Sequence, residues 1–147
     1  MATRSPGTTR RTPVQTVALI FGAVFLLVGV LGFIPGITQG AEGLAFAGPG
    51  SMAMLLGIFH VSVLHNIVHL LFGVAGIAMA RTPGNARNYL IGSGVIYAVL
   101  TVYGLLVPAD GEANFVPVNT ADNWLHLVLT IGLLAAGLAL GPKARRR

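Results

Sequence analysis

The chain reads as all-α: a four-helix transmembrane bundle of two parallel-repeat helical hairpins, with the N and C termini cytoplasmic. Three observations predict this. Four long apolar stretches carry no Lys, Arg, Asp or Glu in their interiors. Between them the cations (Arg4, Arg10, Arg11; Arg81, Arg87; Lys143, Arg145, Arg146, Arg147) alternate with the anions Glu42, Asp110, Glu112 and Asp122, as the positive-inside bias requires of a chain that crosses a bilayer four times. Charged residues make up only 9% of the sequence and apolar ones 54%. A soluble domain has about 25% charged residues, so lipid is expected to cover the apolar excess.

Residues 1–12 are polar and rich in Thr and Arg, which predicts a disordered cytoplasmic N-terminus. A single transmembrane domain is expected over residues 13–141. Its first helix covers about 14–33, with Thr12 as N-cap and Pro13 in the first turn. An apolar run of about 20 residues spans a bilayer and exceeds a signal-peptide core, and Gln39-Gly40-Ala41 is a poor cleavage site, so an uncleaved helix is expected. The outer loop that follows carries Glu42, and its apolar segment 51–59 is short enough to predict an interfacial or re-entrant helix. Helix 2 is placed at about 63–80, a minimal span, and Arg81-Thr82-Pro83-Gly84 then turns the chain. Helix 3 is placed at about 88–107, before Pro108, and helix 4 at about 120–140, stopped by Gly141-Pro142. Residues 142–147 form a basic cytoplasmic tail. Trp124 and Tyr89 mark the outer and inner interfaces as an aromatic belt would, and the glycines and alanines of helices 2 to 4 offer faces for close packing.

The starts of helices 2 and 4 align: Val61-Ser62-Val63-Leu64-His65-Asn66-Ile67-Val68-His69-Leu70 over Val118-Asn119-Thr120-Ala121-Asp122-Asn123-Trp124-Leu125-His126-Leu127. Each has a capping Ser or Asn, then Asn-x-x-His-Leu. Such a parallel repeat implies a pseudo-two-fold axis along the membrane normal. Ser62 and Asn119 are expected to cap their helices, while His65 and Asp122 stand where a capping-box side chain reaches back. His65 with His69, and Asp122 with His126, share a helix face at i and i+4. Asn66 and Asn123 lie beside that face. Polar groups at this depth are expected to face the bundle interior.

Two uses of this set are open. Ser62, Asn66, Asn119 and Asn123, with the histidines, form a structural polar cluster that hydrogen-bonds helices 2 and 4 together. Alternatively His65, His69, Asp122 and His126 hold a divalent metal such as Zn²⁺, or His69 and His126 ligate a haem. A third reading is a proton or small-solute transporter subunit, although the inner halves of all four helices are almost purely apolar. His60, outside the repeat, is expected to be a polar surface residue. No cysteine is present, which removes disulfides and thiolate sites. No phosphate loop, His-Glu-x-x-His or Gly-x-Ser-x-Gly sequence occurs either, and no catalytic residue is assigned. The basic excess is read as topology, so nucleic acid is not an expected partner. The lipid bilayer is, along with a possible homo-oligomer or other proteins of the cytoplasmic membrane.

The segments Gly57-Ile58-Phe59-His60-Val61-Ser62, Leu64 to Gly73 (LHNIVHLLFG) and Asp122-Asn123-Trp124-Leu125-His126 resemble domain-of-unknown-function family 4383, small bacterial membrane proteins of actinobacterial type. The likeness runs from Val14 to about Leu140. It implies a four-helix membrane domain and no established activity.

Overall fold

A computed structural model describes residues 10–141. Residues 1–9 of the expected N-terminal segment and the tail from residue 142 lie outside the described residues. Among the described residues there are four α-helices: α1 (Pro13–Leu31), α2 (Val63–Met79), α3 (Pro83–Leu106) and α4 (Thr120–Ala139). α1, α3 and α4 are each long and apolar enough to cross a membrane, and α2 is apolar but has 17 residues, at the lower limit of the roughly 17–25 residues a span needs. Their outward faces are apolar too: Leu27, Leu71, Val99, Leu105, Val128 and Ile131 all stand exposed. That is the surface a lipid solvent accommodates and water does not.

α1 pairs with α2 and α3 with α4 as antiparallel hairpins. Gln15 at the start of α1 hydrogen-bonds the carbonyls of Ala80 and Arg81 at the end of α2, while Gly32 after α1 abuts Asn66 near the start of α2. In between, Gly22 crosses Gly73 and Gly76 so tightly that a Cβ on Gly22 would lie 2.8 Å from the Ile77 amide nitrogen. The second hairpin repeats the arrangement, with Gly94 against Leu134 and Gly137 against Ile91. The buried faces correspond. Val14, Ala18, Gly22, Phe25 and Gly29 of α1 are buried, as are Ala86, Leu90, Gly94, Tyr97 and Thr101 of α3, each 72 positions later. His65, His69, Gly73 and Gly76 of α2 are matched in α4 by Asp122, His126, Thr130 and Leu133, each 57 positions later. The apolar core fills the space where the two hairpins meet, around Phe25, Leu90, Tyr97 and Leu133.

Three expectations are corrected. The segment 51–59 is not a helix: it carries β2 (Met54–Leu55) and the start of β3 (Phe59–His60), which pair antiparallel, with β1 (Thr38–Gln39) on the far side of β2. Leu56 (φ 55°) and Gly57 (φ 70°) are both left-handed, and a right-handed helix does not pass through two such residues. α3 begins at Pro83, five residues before its expected start. Thr82 caps it by accepting from the Asn85 amide at 3.3 Å, and proline suits the first helical position because its missing N–H is not needed there. Tyr89 is not a lipid-facing belt residue: it is 4% exposed and packs on Gly76. Trp124, at 66% exposure, does face outward.

Candidate functional site

Ser62 and Asn119 cap α2 and α4 as their side-chain chemistry requires. Ser62 Oγ accepts from the His65 amide at 3.1 Å, and Asn119 Oδ1 from the Asp122 amide at 3.0 Å. Asp122 completes a capping box, its Oδ2 accepting from the Asn119 amide at 2.9 Å. His65 does not reach back in this way, because its ring turns into the bundle.

The same Asp122 oxygen also accepts from the His60 amide of β3, at 3.0 Å. Asn119 adds a second tie to the sheet, its Nδ2 donating to the Ile58 carbonyl at 2.8 Å. The start of α4 is therefore held by the loop that precedes α2. His60 is not a free surface residue. Its Nε2 donates to the Ser51 carbonyl at 2.6 Å, and its backbone serves Asp122.

Beneath this cap lies a cluster of rings to which every helix contributes: Phe25 from α1, His65 and His69 from α2, Tyr97 from α3 and His126 from α4. Phe25 and Tyr97 stack with centroids 5.4 Å apart and planes 4° from parallel. His65 stacks on His69 at 4.7 Å, and Tyr97 meets His126 edge-on at 5.2 Å. His126 lies 6.2 Å from His65. The His69 tautomer follows from its partners. Nδ1 donates to the His65 carbonyl at 3.0 Å, so in the neutral ring Nε2 accepts, and the Tyr97 hydroxyl donates to it across 3.4 Å. Asp122 and His126 are each only 2% exposed.

Asn66 and Asn123 do not join α2 to α4, as the sequence predicted. Each turns back on a glycine in or just past the last turn of the preceding helix of its own hairpin: Asn66 sits on Gly32, just after α1, and Asn123 on Gly104, in the last turn of α3, whose carbonyl accepts from Asn123 Nδ2 at 2.8 Å. Ser62, Asn66 and Asn123 are thus separate ties within their own hairpins, while Asn119 both caps α4 and reaches across to Ile58. The contacts between α2 and α4 are made by His65 and His126 instead.

Of the expected metal set, His65, His69 and His126 come together, while Asp122 is bonded to two backbone amides. Among the described residues no group of three or more His, Cys, Asp or Glu side chains is arranged to hold a metal ion. A haem between His69 and His126 does not fit, because Tyr97 lies against both rings. Cavities of about 100 and 160 Å³ flank the histidines, one beneath the β2–β3 hairpin and the other between α2 and α3. Both are below the roughly 300–1,000 Å³ of ordinary ligand pockets. His65 Nδ1 and His126 Nδ1 are buried with no partner from the protein.

Five participants escaped the sequence reading. Phe25 and Tyr97 gave no local signal, each being an aromatic in an apolar span. Gln15 did: Thr12-x-x-Gln15 is a capping-box spacing, and its Oε1 accepts from the Thr12 amide at 3.0 Å. Asn114, fully buried, organises the loop between α3 and α4 by bonding Ala109 and Val118. Ser51 ties the first loop to Val61.

This fold and site define a small helical membrane protein with a buried polar and aromatic cluster towards one end. The chain belongs to the family described as a domain of unknown function (DUF4383), whose model matches residues 15–139. No curated protein and no solved structure matches it.

Proposed function

We propose that this protein is a non-enzymatic structural or accessory component of the cytoplasmic membrane. It crosses the bilayer four times with both termini inside, and its ring cluster clasps two duplicated hairpins together near the outer face. The observation that carries this reading is that Phe25, His69, Tyr97 and His126, one from each helix, pack into a single ring cluster with His65. The polar groups around it serve mainly the protein: Asp122 takes two backbone amides and His69 is bonded through both nitrogens. Duplication is supported by the corresponding burial of α1 with α3 and α2 with α4. It pairs Phe25 with Tyr97, His69 with His126, and the contact of Asn66 with Gly32 with that of Asn123 with Gly104. The orientation rests on charge, since Arg10, Arg11, Arg81 and Arg87 lie at the end opposite Glu42, Asp110, Glu112 and Asp122.

Purification in detergent followed by elemental analysis and visible spectroscopy tests the reading. The clasp predicts neither stoichiometric metal nor a Soret band, and either one would overturn it. The same preparation with His69→Leu and His126→Leu together is expected to unfold at lower temperature while retaining helical content. An unchanged midpoint would remove the clasp.

A further inference from the structure

At the end of the bundle away from the ring cluster, a cleft of about 640 Å³ opens between the start of α1 and the end of α2. Arg10, Arg11 and Arg81 line it, together with Gln15, Leu19 and Ile77. All three arginines are exposed. Among the described residues, which include all four of the chain's Asp and Glu, no carboxylate lines the cleft to neutralise the arginines.

Gln15 shapes this cleft. Its Nε2 donates to the carbonyls of Ala80 at 3.0 Å and Arg81 at 2.9 Å, while its Oε1 accepts from the amide and hydroxyl of Thr12, both at 3.0 Å. The C-terminal carbonyls of a helix repel anions. Here the Ala80 and Arg81 carbonyls, just past the end of α2 at Met79, are occupied by the Gln15 amide, which also fixes the Arg81 backbone beside the start of α1. The positive end of the α1 dipole opens on the same side. Below the arginines the walls turn apolar within about a turn, roughly 6 Å of helix rise: Leu19 is four residues beyond Gln15, and Ile77 four before Arg81. A ligand that suits both parts has an anionic head and an apolar tail. Guanidinium groups bind phosphate oxygens in bidentate geometry, and basic pockets between membrane helices on the cytoplasmic side suit phospholipid head groups.

The geometry points to a site for an anionic phospholipid, its phosphate held by Arg10, Arg11 and Arg81 and an acyl chain lying along Leu19 and Ile77. Native mass spectrometry of the detergent-purified protein, with phosphatidylglycerol and phosphatidylcholine added in turn, tests it. The wild-type protein is expected to retain phosphatidylglycerol in preference. The triple variant Arg10→Gln, Arg11→Gln, Arg81→Gln should weaken that retention roughly tenfold or more, with helical content and lipid-free unfolding midpoint unchanged. Arg87→Gln, a cation at the same end but outside the cleft, should behave as wild type. Retention that survives the triple substitution overturns the site, as does an equal loss in Arg87→Gln, which would mean diffuse charge attraction. Displacement of the lipid by equimolar glycerol phosphate, the same head without chains, would overturn the lipid assignment in favour of a soluble phosphate.

Discussion

Asp122 shows how one buried side chain can serve two elements. A single carboxylate oxygen accepts from the Asn119 amide, closing the cap of α4, and from the His60 amide, anchoring β3. One acceptor atom is therefore what the position requires, and an asparagine can supply it. Asp122→Asn is expected to keep most of the stability, whereas Asp122→Ala, leaving two partly buried N–H groups without their acceptor, should lose about 1–3 kcal/mol. Denaturant titration in detergent separates the two, and equal losses would mean that the charge itself matters. Gly104 makes a similar case: a Cβ there would run into the Asn123 amide, so Gly104→Ala is expected to cost about 1–3 kcal/mol by overpacking, read in the same titration. The Asn-x-x-His units were legible in the sequence because both polar residues recur at one offset. Gly32 and Gly104 recur as well, each ahead of a proline, but their contact with the asparagines was not legible. Gly32 and Asn66 are separated by 34 positions and Gly104 and Asn123 by 19, and no local pattern links residues across loops of such different length.

At the level of elements, the helices were readable because uninterrupted apolar runs of span length have few alternatives. α1, α2 and α4 start within a residue of where the sequence placed them and end one or two residues earlier. α3 starts earlier because its first turn, Pro83 to Ala86, is polar and small, and hydropathy gives no weight to the Thr82 cap and the helix-starting proline. The β2–β3 hairpin was misread for a related reason. Seven of the nine residues in SMAMLLGIF are apolar, and nothing in their pattern separates a short helix from two strands. The turn rests on Leu56 at φ 55°, a conformation asparagine tolerates better than leucine. Leu56→Asn is therefore expected to raise the unfolding midpoint by the equivalent of about 0.5 kcal/mol. A loss instead would show that the exposed Leu56 side chain contributes contacts outweighing its backbone strain.

For the whole molecule, charge and packing divide the work between the two ends. The basic end carries the arginine cleft, and the opposite end carries the sheet, the Asp122 cap and the ring cluster. Within each hairpin, glycine faces let backbones approach closely: Gly22→Val would press a branched side chain onto the α2 backbone at Ile77, and it is expected to lower the unfolding midpoint more than Gly132→Ala, where a Cβ meets only the Phe21 ring tip at 3.7 Å. Between hairpins the apolar core includes an aromatic contact that depends on side chains from four helices, which is why sequence alone assigned the polar residues to a single cluster without finding Phe25 or Tyr97. The central claim is that these rings clasp one hairpin to the other. A double-mutant cycle of Phe25→Leu and Tyr97→Leu, read as unfolding free energy in detergent, tests it most directly. The stacked pair spans the hairpin boundary at 5.4 Å, and a coupling of about 0.5–1.5 kcal/mol is predicted. Strict additivity of the two substitutions would contradict it.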